Sequence, residues 1–181
     1  MAPTPRILRS ALLIAALAAA LPASALAESD DDAFFRQVAG KWTGPGKIVE
    51  GKLKGTHFKC ELDGLPVTGD EGGFKLDGKC RAGLFSHPIT AVFIRDGDSY
   101  RGQFLDGEDG EGLAVTGGSI EDQKAVISLR RKEVEGALVT SMQSENDLNI
   151  TLLIKGGTRY VPVIGLSLKR EGDPFTVGAI K

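Results

Sequence analysis

The sequence predicts an all-β protein: an antiparallel up-and-down β-barrel of about 8–10 strands, preceded by a short N-terminal helix. Three observations point there. From Trp42 onward apolar and polar residues alternate with a period of two, the pattern of half-buried strands. The alternating segments recur about every ten residues, and the links between them are rich in turn residues: Asp96-Gly97-Asp98, Glu121-Asp122-Gln123, Ser144-Glu145-Asn146 and Lys155-Gly156-Gly157. That spacing leaves no room for the crossover helices that parallel strands require.

The first 27 residues read as a secretory signal peptide. Arg6 and Arg9 form a basic start, and Ala11 to Leu21 is an unbroken apolar run of eleven residues. A helix that spans a bilayer needs about 20. Pro22 leads into Ala25-Leu26-Ala27, the small-x-small pattern of a cleavage site. Cleavage after Ala27 leaves 154 of the 181 residues; cleavage after Ala25 is the alternative. The expectation is a periplasmic or secreted protein with no transmembrane segment after processing. Residues 28–172 are expected to form one barrel domain and 173–181 a tail without a partner in the pattern.

Charge narrows the partners. Without Arg6 and Arg9, 20 basic residues face 24 acidic ones, a net charge near −4. That balance argues against nucleic acid and against an anionic membrane surface. Arg130-Arg131-Lys132, the one basic cluster, is expected at a solvated turn.

Acidic residues at 30–32 suit the start of a helix. Ala33, Phe34 and Val38 recur at helical spacing, and Gly40 ends it. A helix over about 31–39 is expected, with Phe34 or Phe35 packed on the body. Ten strands are expected near 42–50, 54–63, 73–82, 88–95, 99–105, 113–119, 124–131, 136–143, 147–155 and 159–169. Ten strands of meander curl and close, which removes unpaired edges.

Both cysteines lie in the second and third of these segments. Phe58, Cys60 and Leu62 alternate with Lys59, Glu61 and Asp63; Phe74, Leu76, Cys80 and Ala82 share one parity. A hairpin folded about Asp70 sets Cys60 opposite Cys80, and export supplies an oxidising compartment. A metal site needs further Cys or His at ligand spacing, and a redox pair usually reads C-x-x-C. A structural disulfide is therefore expected. Gly78 suggests a bulge that moves this register by one. Leu-Asp-Gly at 62–64, 76–78 and 105–107 reads as repeated turn and bulge chemistry.

Gly40-Lys41-Trp42 opens the first strand and Lys169-Arg170 ends the last. If those strands pair, Trp42 lies near Arg170, and Trp42, Ile48, Ile164, Leu168 and Arg170 have parities compatible with one inward face. A guanidinium over an indole contributes about 0.5–2 kcal/mol. This arrangement resembles the calycin pattern of lipocalins and fatty-acid-binding proteins, in which the Trp of a G-x-W triplet packs at the closed end beneath a basic side chain from the final strand. The resemblance implies barrel closure by Trp42 and Arg170. Calycins include carriers, enzymes and inhibitors, so the fold alone does not fix function. Ala39-Gly40-Lys41-Trp42 with a single disulfide also resembles small periplasmic inhibitors of secreted metalloproteases.

No catalytic motif stands out. His57 has the parity opposite to Phe58 and is expected in solvent; His87 precedes Pro88 at a strand start. Gly117-Gly118-Ser119-Ile120 lacks the final glycine of a nucleophile elbow. Asp106, Glu108, Asp109 and Glu111 crowd the 105–113 loop and invite Ca²⁺, but their spacing fits no EF-hand. A solvated loop is expected there. The segments 148–154 and 160–168 are apolar on both faces: one face lines the barrel, and the other is expected to meet the N-terminal helix, with a partner or a second copy in a dimer as the alternatives.

The resulting expectation is a non-enzymatic exported barrel that binds a small apolar or amphipathic ligand or lipid, without cofactor or metal. Phe58, Phe93, Phe104 and Met142 are expected to point inward. The alternative is a protein-binding barrel: a protease inhibitor or an envelope-assembly factor with an envelope protein as partner.

Overall fold

A computed structural model describes residues 30–172 apart from 68, 70 and 106–111. Helix α1 (Asp30–Val38) precedes ten strands: β1 (Gly40–Ile48), β2 (His57–Val67), β3 (Gly73–Ala82), β4 (Phe85–Asp96), β5 (Ser99–Leu105), β6 (Leu113–Glu121), β7 (Lys124–Arg131), β8 (Val134–Ser144), β9 (Asp147–Gly156) and β10 (Arg159–Arg170). Each strand pairs antiparallel with its neighbours in sequence, and β10 pairs with β1, so the sheet closes on itself. Closure satisfies every strand edge. The expected signal segment, the acidic link at 106–111, Asp70 and the tail at 173–181 lie outside the described residues. No helix among the described residues is long and apolar enough to cross a membrane.

Up-and-down order gives the barrel two distinct ends. The links β2–β3, β4–β5, β6–β7 and β8–β9 gather at the end where β1 begins, here the helix end. The links β1–β2, β3–β4, β5–β6, β7–β8 and β9–β10 gather at the far end. Alternation along each strand delivers one apolar face to the interior. Trp42, Leu129, Leu148, Leu168 and Cys60 are the largest of these side chains that are fully buried.

Four local features differ from the sequence expectation. First, β1 stops at Ile48 and β2 starts at His57, because Ile48 donates to Thr56 O at 2.9 Å and accepts from Gly55 N at 2.8 Å, which turns the chain before residue 54 can join the sheet. Second, Gly78 makes no bulge. The β2–β3 register runs unbroken from Lys59↔Arg81 to Val67↔Gly73. Glycine is there for space: a Cβ at 78 would stand 2.1 Å from Glu61 O. Third, Leu-Asp-Gly at 62–64 and 76–78 lies within strands rather than turns. Leu62 and Leu76 are buried, Asp63 is exposed, and Asp77 accepts from Thr90 at 2.7 Å and Lys75 at 3.1 Å.

Fourth, the apolar character of both faces of β10 has a local cause other than cover by α1. A bulge places Pro162 opposite Leu153 but Ile164 opposite Leu152, so one extra residue, Val163, enters β10. Side-chain parity reverses there. Ile164 shares the face of Leu152, and Val161 shares the face of Ile154 on the other side of the bulge. The β10 residues Val161 and Ile164 thus turn toward the same interior, Leu153 of β9 with its partners Pro162 and Ala137 stays on the opposite face, and α1 packs inside rather than over them.

Candidate functional site

The helix end is closed by a small number of interlocking groups. Trp42 and Arg170 are direct partners across the β1–β10 seam. Arg170 Cζ lies 4.2 Å from the centroid of the Trp42 ring. Its Nε donates to Glu145 O at 2.9 Å, Nη1 to Ala39 O at 2.5 Å, and Nη2 to Gln37 O. A cation placed on the last carbonyls of α1 satisfies acceptors that the helix leaves unpaired and opposes its dipole. Trp42 Nε1 donates to Val38 O at 2.9 Å, so the indole fixes the same helix end from below. Gly40 makes the junction possible. Its φ of +113° suits glycine, and a Cβ there would come within 2.9 Å of Arg170 Nη1.

Helix α1 is an internal plug. Phe34, Phe35 and Val38 are all buried among inward-facing side chains, including Phe74, Phe93, Leu148 and Ile150. Phe35 stacks on Phe74 with centroids 5.6 Å apart and meets Tyr100 edge-on at 6.1 Å. Gly64 allows the close approach: a Cβ there would stand 2.3 Å from Val38 O and 2.7 Å from the Phe74 ring. The first turn of α1 is latched to the barrel wall. Arg95 Nη2 contacts Asp32 at 2.8 Å, Arg95 Nε contacts Asp31 at 3.3 Å, and the Tyr100 hydroxyl donates to the same Asp31 oxygen. Burial, and then the carboxylate of Asp31, push the Tyr100 phenol well above its ordinary range. Asp32 raises the Arg95 guanidinium further still.

Under the plug the interior is full. The cavity enclosed by α1 and the surrounding wall holds about 30 Å³ of free space and is lined almost wholly by apolar side chains. Ligand sites typically offer about 300–1,000 Å³. The space beneath α1 is thus well below ligand size, and the other half of the barrel lies beyond it. There the inward-facing Phe58, Ile89, Phe104, Leu152 and Leu166 pack against the core but stay partly accessible. Phe58 folds its ring across Gly46, where a Cβ would lie 2.2 Å away. Phe93 and Met142 are buried. Cys60 and Cys80 are directly opposed in the β2–β3 register and form a disulfide, with Cα atoms 4.0 Å apart and a sequence separation of 20. Cys60 is fully buried at this inner wall.

The remaining candidates do not converge. His57 and His87 are both exposed, and His87 is paired with Cys80 across β3–β4 at the far end. Among the described residues no three His, Cys, Asp or Glu side chains come together as a metal site. Asp31, Asp32, Arg95 and Tyr100, which hold the plug, have no signature in the sequence. Arg95 and Tyr100 flank a β-turn more than 60 residues from α1, and only the closed register brings them back.

In sequence the chain matches no protein-family model and no curated protein. Its fold is similar to that of solved structures. One is an S-type phycobiliprotein lyase, CPES, from Guillardia theta, with a TM-score of 0.56 and 11% identity over 78% of this chain and 93% of that one. Another is Rv2717c from M. tuberculosis, with a TM-score of 0.57 and 12% identity over 80% of this chain and 99% of that one. At such identities the likeness is one of fold alone, which in this chain is a closed antiparallel barrel.

Proposed function

We propose that this protein is an exported, non-enzymatic barrel that takes a small apolar or amphipathic ligand into the half of its interior remote from α1. The observation that carries the reading is the asymmetry of the interior. Beneath the plug every inward-facing apolar side chain but Ile120 is buried, whereas in the other half Phe58, Ile89, Phe104, Leu152 and Leu166 keep partial access beside the buried Leu113 and Leu129. An apolar concavity with few polar groups favours a ligand of matching chemistry. The basic and apolar leader at residues 6–21 and the disulfide support export. The dispersed histidines and bridged cysteines support a binding role over catalysis.

The alternative is a protein-binding barrel such as a protease inhibitor or an envelope-assembly factor. Exposed apolar residues at the far end support a contact surface there. The seating of residues 30–38 inside the barrel counts against an N-terminal arm that reaches into a protease cleft.

The test is chemical. Protein produced with its leader and recovered from the exported fraction is extracted with organic solvent, and the extract is analysed by mass spectrometry. A stoichiometric apolar compound, and displacement of a bound hydrophobic dye by it, are the expected results. An empty extract with no dye binding would overturn the proposal.

A further inference from the structure

The exposed apolar side chains are not scattered. Eight large ones are strongly exposed among the described residues, and all but Leu65 lie at the far end. Leu53 sits in the β1–β2 link, Leu84 in the β3–β4 turn and Phe85 at the start of β4, exposed by 66%, 100% and 73%. Val134 borders the β7–β8 turn, and Tyr160 and Val161 begin β10. Leu105 ends β5. Single exposed apolar residues are ordinary, but their concentration on one end marks a contact surface.

Charge is sorted along the same axis. The four links at the helix end contain Asp70, Glu71, Asp98, Asp122 and Glu145 and no Lys or Arg. At the far end an exposed cation stands in or beside each of four turns: Lys52 near Leu53, Arg81 at the end of β3 near Leu84 and Phe85, Lys132 near Val134, and Arg159 at the start of β10 beside Tyr160. Arg95 and Lys124 are the cations that border the helix-end links within two residues. None of the four far-end cations forms an ion pair with another described residue, whereas Glu50 is held by Lys54, and Glu135 by Arg130 and Lys155. Glu133 remains as an opposing charge. The four turns are contiguous around the rim. The fifth link, 106–111, carries Asp106, Glu108, Asp109 and Glu111 and connects β5 to β6 on one side of them. The net charge of the chain hides this separation.

We infer that the far end docks on an anionic lipid surface, with Leu53, Leu84, Phe85 and Tyr160 entering the interfacial layer and Lys52, Arg81, Lys132 and Arg159 meeting the headgroups. Shallow apolar insertion and cationic attraction are each weak alone and effective together. The basic turns face the bilayer and the acidic helix end points away, so the charge distribution also orients the approach. The surface is distinct from the barrel interior, and docking does not depend on whether the interior holds a ligand.

The test uses the chain beginning at Glu28, which retains every described residue and omits the apolar leader. Flotation with vesicles of neutral phosphatidylcholine is compared with vesicles that also contain phosphatidylglycerol. The expected result is at least tenfold stronger binding to the anionic vesicles, reduced by salt. The double variant Leu84→Ser, Phe85→Ser and the double variant Lys52→Glu, Arg159→Glu should each weaken it at least tenfold. Leu65→Ser at the opposite end should leave it unchanged. All these side chains are exposed, and unchanged Trp42 emission verifies the fold. Equal binding to both vesicle types, insensitivity to the far-end variants, or Phe85-dependent self-association in place of vesicle binding would overturn the inference.

Discussion

Arg170 lies over the Trp42 ring with its Cζ 4.2 Å from the centroid, while the same guanidinium donates to the carbonyls of Gln37, Ala39 and Glu145. One side chain thus joins the first strand, the last strand, the β8–β9 turn and the end of α1. A lysine cannot reproduce that planar fork. Arg170→Lys is expected to destabilise the protein by about 1–3 kcal/mol, since hydrogen bonds from charged groups contribute about 1.5–3 each and partial exposure reduces this. Urea unfolding followed by Trp42 emission measures it. Stability within error of the parent would show that the seam does not rely on this group.

Gly64 lies where the end of α1 packs against the wall. A methyl group there would stand 2.3 Å from Val38 O, against backbone that has little freedom to yield. Gly64→Ala should displace α1 and cost about 1–3 kcal/mol, the usual range for overpacking. Amide hydrogen exchange should show protection lost first in residues 30–38, with the β8–β9 and β9–β10 ladders still protected. Uniform loss across the barrel would mean that α1 is not a separable plug.

Tyr100 makes the latch sensitive to alkali. Its phenol is pushed up in the folded protein, chiefly by burial and then by Asp31. A group with a raised folded pKa contributes stability in full below its unfolded pKa, about 10 for tyrosine, and loses it as pH rises toward the folded value. The parent should therefore lose stability above about pH 10. Tyr100→Phe should cost about 1 kcal/mol at neutral pH and lack that part of the alkaline loss. Parallel pH profiles for the two proteins would remove Tyr100 from the latch.

The disulfide closes a loop with a sequence separation of 20 within one hairpin. In the chain-entropy model such a loop is worth about 3 kcal/mol. Cys60→Ser, or reductant added to the parent, should lower the melting temperature without abolishing the fold, because the β2–β3 register is also set by its strand ladder. Identical melting with and without reductant would contradict a stabilising role.

Much of the architecture is legible in the sequence because a closed meander is encoded locally. Period-two alternation sets each strand's inward face, and the turn residues set where it ends. Ten strands and α1 appear within a few residues of their expected positions. The Trp42–Arg170 pairing follows from closure alone, since only the seam can bring residues 128 positions apart into register. What is not legible depends on several strands at once. Whether α1 covers the outside or enters the mouth depends on Gly64, Phe74 and Tyr100 arriving together, and none of them advertises this in its own segment. The bulge at Val163 has one signal in the sequence, Pro162, since a proline inside a strand is confined to edges, strand starts and bulges. The polarity of the two ends is invisible to net charge, which sums over acidic and basic turns that lie at opposite ends of the barrel.

The central claim is that the barrel is filled at the helix end and receptive at the other, and labelling by an apolar photoreactive probe tests it most directly. After irradiation and peptide mapping, the account predicts modification on β2 and β5 near Phe58 and Phe104, competed by the extracted ligand, with Phe35 and Phe93 unlabelled. Labelling confined to the outer surface, or centred on the residues beneath α1, would contradict it.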